Sequence, residues 1–219
     1  VNILKIKLVM TNFIFFRKVK MIKQQLEKMH EFARNNDIPI IEDSGAKLLI
    51  ELVNHYQPSR ILEIGTAIGY SALLMHDSSG AEVVSIERDE YRYNLAKGFV
   101  EPLDVNIQLF CDDALLFDDT KLGKFDMIYF DAAKAQNINF FNKYQHHLNV
   151  GGIIVVDNLL FHGLTFKQPE AIESRNMRQL TRKLRNFIDF ANNQRGYKFI
   201  LLEEGDGLGI MIKEQDVEV

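Results

Sequence analysis

The chain has one cysteine, Cys111, in 219 residues. No intramolecular disulfide can form, a cysteine-rich metal site is excluded, and the usage fits a reducing cytoplasm. Its neighbours Leu109 and Phe110 predict a thiol buried in the core. No stretch has the Pro/Gly/Ser-rich composition of a linker, and 47% of the residues are hydrophobic, enough for one domain with a sizeable core. Long apolar runs are missing too. The most apolar segment, residues 1–20, is broken by Lys5, Lys7, Arg17 and Lys18, short of the roughly 18 apolar residues of a membrane span. No small-residue cleavage site follows an apolar core, so neither a membrane anchor nor a removable signal peptide is expected. With Met10 and Met21 internal, that segment reads either as a docking helix or as an extended start. Excess positive charge is absent: the net charge of -4 argues against a generally basic nucleic-acid binder and leaves only a local patch to consider.

What is present is alternation. Short β-branched runs at Arg60 to Ile64, Glu82 to Glu87, Asn106 to Phe110, Phe125 to Asp131 and Gly152 to Asp157 read as buried strands. Helical spacing lies between them, at Tyr70 to His76, Tyr91 to Val100 and Asn137 to Leu148, as a doubly wound parallel sheet requires. Tyr197 to Glu203 and Leu208 to Lys213 are separated only by Glu204-Gly205-Asp206-Gly207, too short for a crossover helix, so they form an antiparallel hairpin. The predicted architecture is α/β with seven strands. Residues 1–37 form an N-terminal helical extension and residues 38–219 the main domain. A long helix, Ser174 to Asn193, puts Met177, Leu180, Leu184, Phe187, Ile188 and Ala191 on one face, which should pack on the sheet. Arg175, Arg178, Arg182 and Arg185 fall within about 80° of each other on another face.

Ile61-Leu62-Glu63-Ile64-Gly65-Thr66-Ala67-Ile68-Gly69-Tyr70-Ser71 joins strand, glycine turn and helix at the nucleotide-binding position of such folds. Gly65 suits the turn, and Gly69 lets the helix pack closely. The glycine that admits a pyrophosphate in dinucleotide-binding proteins is here Ala67, which favours a phosphate-free adenosyl cofactor over NAD. Glu87 closes the second strand about 20 residues on, where a carboxylate can accept from both ribose hydroxyls. Asp113 and Ala114 follow the third strand, placed either to receive an adenine ring or to cap the next turn.

Two adjacent strands end in Asp131 and in Asp157-Asn158. Strand-end Asp often caps a helix. Three hard oxygen donors at neighbouring strand ends instead suit Mg²⁺ and leave coordination positions for substrate oxygens. Zinc is disfavoured there, and His146 and His147, adjacent in sequence, are not expected to share a face as a zinc pair would. Lys134 lies three residues after Asp131, placed to take a hydroxyl proton or steady an oxyanion.

Leu62-Glu63-Ile64-Gly65 through Ser71, Ile86-Glu87, Asp113-Ala114, Asp131-Ala132-Ala133-Lys134, Asp157-Asn158 and Gly205-Asp206-Gly207-Leu208 resemble the cation-dependent O-methyltransferases of the catechol and caffeoyl-CoA type, from about Ile38 to Lys213. The resemblance implies a class I methyltransferase fold, Rossmann-like, and S-adenosylmethionine as cofactor. It implies cofactor contacts at Ile40, Glu63, Gly65, Tyr70, Ser71, Glu87, Asp113, Ala114 and Asp131. It further implies metal ligands at Asp131, Asp157 and Asn158, catalytic roles for Lys134 and Asp131, and a homodimer. Cys111-Asp112 departs from the commoner Gly-Asp and leaves the path of that loop open.

Within the family, Gly65 to Ser71, Asp131 to Lys134 and Asp157-Asn158-Leu159-Leu160-Phe161-His162-Gly163 look most similar to bacterial tRNA 5-hydroxyuridine methyltransferases, which implies 5-methoxyuridine at the anticodon wobble position as product. The 5-hydroxyl and 4-carbonyl of that base are vicinal oxygens, as in a catechol. Residues 167–198 carry eight Lys/Arg against three acids, so Arg175, Arg178, Arg182 and Arg185 form a candidate RNA surface, or simply a solvated helix face. His162 is placed to touch the base or to fill its loop. A small catechol-like acceptor is the enzyme alternative; an NAD oxidoreductase and a non-catalytic RNA-binding module are the others.

Overall fold

Strands β1 (Arg60–Ile64), β2 (Glu82–Glu87), β3 (Ile107–Cys111), β4 (Phe125–Phe130) and β5 (Leu148–Val156) form the parallel part of one sheet. The hairpin β6 (Tyr197–Leu202) and β7 (Leu208–Lys213) closes it, with β7 antiparallel to both β5 and β6. The seven strands lie in the order β3-β2-β1-β4-β5-β7-β6, the doubly wound sheet with a terminal hairpin that the alternation predicts. The structure is a computed structural model that describes residues 2–216, with side chains from residue 17 onward.

The strands are apolar along their length because both faces are covered. Ile61, Val83, Met127, Tyr129, Ile153 and Val155 face helices α2 (Asp43–Tyr56) and α3 (Tyr70–Ser79), meeting Leu49, Val53, Ala72 and Met75. The alternate residues Leu62, Ile64, Val84, Ile86, Ile128, Phe130, Ile154 and Val156 face α5 (Asn137–Tyr144) and α6 (Arg175–Asn192), meeting Phe140, Phe141, Tyr144, Leu184 and Phe187. Each such side chain contributes about 1.5–3 kcal/mol on burial, so the two layers fix the sheet that carries the site.

Helix α1 (Asn2–Asn35) docks through a third cluster in which Ile22, Met29 and Ala33 meet Ile68, Leu73 and Leu103. The Gln25 amide also donates to the Phe99 carbonyl at 2.9 Å in α4 (Glu90–Val100). The choice between a docking segment and an extended start for residues 1–20 falls largely on side chains outside those described. No helix among the described residues is long and apolar enough to cross a membrane.

Several expectations are corrected. Cys111 is exposed, because it is the last residue of the edge strand β3. Met177 is 39% exposed, burial on α6 beginning only at Thr181. Helix α5 stops at Tyr144 and gives way to a 3₁₀ turn, Gln145–His147, from which β5 starts at Leu148 rather than at Gly152. The early start comes with a register shift between Phe125 and Met127, and there the two backbones run close: a Cβ on Gly152 would lie 2.7 Å from the Asp126 carbonyl. Helix α2 was not predicted.

Candidate active site

The backbone ladder continues one residue beyond the strand ends. Gly65 N–H donates to Ile86 O (2.9 Å), Asp112 to Glu87 O (2.9 Å), Asp131 to Ile64 O (3.0 Å) and Asp157 to Phe130 O (3.1 Å). These bonds set the ends of β1 to β5 level, and one cavity of about 620 Å³ opens above them. Its wall includes Ile40, Gly65, Glu87, Asp113, Ala114, Asp131, Lys134, Asp157 and Asn158. Glu63, Tyr70 and Ser71 are not on it. Tyr70 faces α1 instead, its ring 6.0 Å from that of His30.

The glycine turn is built for close approach. Gly65 has φ +100, and Ala67 tolerates φ +47, which lets its N–H donate to Glu87 Oε2 at 2.8 Å. Asp89 N–H donates to Glu87 Oε1 at 2.9 Å, so Glu87 is oriented by two backbone donors while still lining the cavity. A Cβ on Gly69 would lie 3.1 Å from Val100, in keeping with its predicted role in helix packing.

Glu63 lies under the turn, fully buried, with Ser71 donating at 2.5 Å and Ser85 donating to the other oxygen. Burial outweighs those donors and lifts its carboxyl from 4.5 to about 7. The folded state therefore holds a proton that the unfolded state releases between those values. Stability from this group is complete below about pH 4.5 and falls as pH rises toward and through 7. Glu63→Gln should remove that loss, leaving the variant the more stable protein at pH 8, by up to about 3 kcal/mol at about 1.4 kcal/mol per pKa unit. Melting curves from pH 4.5 to 8 test this; parallel curves for the two proteins would sink it.

Asp113 divides its carboxylate. Oδ1 caps the following turn by accepting from Leu115 N–H at 2.8 Å, as the capping alternative foresees, and the residue lines the cavity as well. The Tyr144 hydroxyl anchors the same turn by donating to Ala114 O at 2.5 Å. The departure at Asp112 is absorbed locally: its exposed carboxylate accepts from Asp113 N–H at 2.7 Å.

Asp131 and Asp157 start no helix. The turn after Asp131 has Ala133 at its cap, and α6 begins far beyond Asp157. Burial and then the Asp157 charge push the Asp131 carboxyl well up, while burial lifts Asp157 to about 6 against the pull of Lys134. Asn158, at φ +65, has a buried Oδ1 with no hydrogen-bond partner. The floor of the cavity thus combines two crowded carboxylates with an unsatisfied amide oxygen, a donor set that fits a hard cation.

Two contributors were missed. Asp206, in the β6–β7 turn, lines the cavity and stitches the hairpin to the segment after β5. Its Oδ1 accepts from His162 N–H, and its carbonyl from Leu160 N–H at 2.8 Å. Gly45, in the first turn of α2, lines the cavity too. The signal for α2 was the apolar spacing of Ala46, Leu49 and Val53; for Asp206 it was an acid flanked by two glycines in a turn.

The arginine ridge is only half free. Arg178 Nη1 donates to Ile172 O (2.5 Å) and Glu173 O (2.9 Å), and Arg185 Nη1 to Thr165 O (2.7 Å) and Lys167 O (3.3 Å). Both hold the segment before α6 in place. Arg175 and Arg182 are exposed. His162 is exposed and borders the cavity, its Nδ1 3.5 Å from Asp206 Oδ2. His146 and His147, against expectation, do converge: their ring centroids are 4.0 Å apart, because the 3₁₀ turn that bends into β5 does not impose α-helical spacing.

A family model described as O-methyltransferase matches residues 18–214. A caffeoyl-CoA O-methyltransferase of Stellaria longipes is 30% identical over 137 residues, which span 58% of this chain and 56% of that enzyme. A solved structure from Staphylococcus aureus, assigned provisionally as a caffeoyl-CoA O-methyltransferase, is 34% identical with a TM-score of 0.80, covering 86% of this chain and 91% of the other. The Podospora anserina methyltransferase PaMTH1, solved with SAH, shares the fold at a TM-score of 0.75 and 22% identity, covering 89% of this chain and 88% of its own.

Proposed function

This chain belongs to the O-methyltransferase family, and we propose that it methylates a hydroxyl on an acceptor with two vicinal oxygens, held through Mg²⁺ by Asp131, Asp157 and Asn158. As a member of that family it is S-adenosylmethionine-dependent. The observation that carries the metal reading is the cavity floor, where two crowded carboxylates adjoin the unpartnered Asn158 Oδ1.

The residues divide the work by position. Glu87, fixed by Ala67 and Asp89 N–H, receives the ribose hydroxyls; Asp113 and Ala114 border the adenine; Gly65 and Ile40 flank the methionine end. Glu63 and Ser71 act from beneath, holding the turn in shape. The cofactor supplies a methyl group on a sulfonium whose departure as a neutral thioether needs little assistance. The dication supplies two-point positioning of vicinal oxygens and a lowered hydroxyl pKa. Lys134, whose charge acts on the same two carboxylates, steadies the acceptor's oxyanion as an ammonium, or takes the hydroxyl proton at Nζ after giving up one of its own.

Two acceptors fit. The motif resemblance and the exposed Arg175 and Arg182 favour 5-hydroxyuridine in the wobble position of tRNA. The names of the relatives, and the engagement of Arg178 and Arg185 with backbone carbonyls, favour a small catechol or caffeoyl-CoA-type acceptor. Parallel incubation with tRNA carrying 5-hydroxyuridine and with caffeoyl-CoA and catechol acids, read by mass spectrometry, separates them. Turnover should cease in EDTA and return with Mg²⁺; persistence in EDTA would overturn the metal reading. Methylated catechols beside untouched tRNA would remove the tRNA acceptor. Arg175→Glu with Arg182→Glu should weaken tRNA methylation alone.

A further inference from the structure

At the opposite edge of the sheet, where β4 and β5 begin, the imidazoles of His146 and His147 meet the carboxylate of Asp119, which opens a 3₁₀ turn (Asp119–Lys121). One nitrogen from each imidazole and one carboxylate oxygen lie within 4.8 Å of one another. His147 Nε2 is 2.8 Å, and His146 Nε2 3.5 Å, from the same Asp119 Oδ2. Tetrahedral ligands about 2.0–2.1 Å from zinc stand about 3.3–3.4 Å apart; His146 Nε2 is already close to that spacing from Asp119 Oδ2, and His147 Nε2 has to open by about half an ångström.

The hydrogen bonding of His147 adds an independent constraint. Its Nδ1 lies 2.6 Å from Gly123 O, and a carbonyl only accepts, so Nδ1 carries the proton. In the neutral ring the Nε2 lone pair then points at a carboxylate lone pair, so the contact needs either a second ring proton or a metal cation between the two atoms. Three nearby lysines donate elsewhere. Lys124 Nζ donates to His146 O (2.7 Å), Lys143 Nζ to Leu115 O and Phe117 O (3.0 and 2.6 Å), and Lys213 Nζ to Leu148 O (2.9 Å). An imidazole N–H donated to a backbone carbonyl is also the usual way in which a metal-binding histidine is oriented.

We propose that Asp119, His146 and His147 form a second metal site, separate from the cavity, for a borderline transition dication such as Zn²⁺, with solvent in the fourth position. Two imidazoles and one carboxylate select that class over Mg²⁺. Held there, the ion pins the loop between β3 and β4 to the start of β5 and is structural.

The test is Zn²⁺ titration of chelator-stripped protein in excess Mg²⁺, with Co²⁺ as spectroscopic probe. The wild type should take up one equivalent, show the visible bands of low-coordinate Co²⁺ and melt at a higher temperature. His146→Ala, at an exposed position, should lose about tenfold or more in Zn²⁺ affinity while keeping its EDTA melting temperature and Mg²⁺-dependent turnover. Asp119→Asn should lose affinity in the same way. Unchanged affinity in both variants would overturn the site. So would failure of wild-type protein to bind Zn²⁺, or uptake that disappears in Asp131→Asn and survives in His146→Ala. In that case a proton alone joins His147 to Asp119.

Discussion

Asp131→Asn is expected to lower methyl transfer by about 10²–10³-fold and, at the same time, to raise the melting temperature of the metal-free protein at pH 8. The first effect follows from the loss of one charged ligand. Lewis-acid positioning contributes several kcal/mol, and each 1.4 kcal/mol is a factor of ten in rate. The second follows from crowding. The Asp131 carboxyl is pushed well above its ordinary 3.8 by burial and by the Asp157 charge. Its stability contribution is therefore complete below about pH 4 and is lost as pH rises toward and through the elevated folded value, so the apo protein is progressively less stable from there up to pH 8. Asn removes one charge and retains the shape. Melting in EDTA across pH 4 to 8, with turnover in Mg²⁺ measured alongside, distinguishes this from simple misfolding. A variant both less active and less stable at pH 8 would show that the carboxylates support the fold rather than a cation.

The opposed effects also explain how much of the site was legible in the sequence. Strand-end acids are visible as letters because they interrupt apolar runs, and the parallel register then sets them level without further information. Glu87, Asp131 and Asp157 were readable for that reason, and Gly65 from the glycine turn between strand and helix. Asp206 and Gly45 were not, because they reach the cavity through contacts distant in sequence: the β6–β7 turn bonded to the segment after β5, and the start of α2 laid over the sheet edge. The arginine face shows the converse limit. Helical spacing puts four guanidiniums on one side, but spacing says nothing about the carbonyls of residues 165–173 that take up two of them. The histidine pair failed for a geometric reason, since the 3₁₀ turn at Gln145–His147 does not follow the α-helical period on which the exclusion rested.

Gly65→Ala should be the most damaging single methyl group in the chain's site. A Cβ there would lie 2.6 Å from Asp131 O, 2.8 Å from Asp131 C and 2.9 Å from Ala132 N. All three are backbone atoms, so no side-chain rotation relieves the clash. The residue also holds φ +100, which costs a non-glycine about 1–3 kcal/mol, and overpacking adds about 1–3 kcal/mol. Against a typical total stability of about 5–15 kcal/mol, the variant should melt about 5–20 °C lower at about 2–4 °C per kcal/mol. Relief can come only by separating the ends of β1 and β4, which moves Asp131 out of line with Glu87, so SAH affinity should fall as well. Gly98 supplies the control: in α4 a Cβ there meets nothing within 4 Å, so Gly98→Ala should hold or gain about 0.5–1 kcal/mol from helix propensity. If Gly65→Ala melted like the wild type and bound SAH unchanged, the contact between the turn and Asp131 would not be what sets the two halves of the site in register.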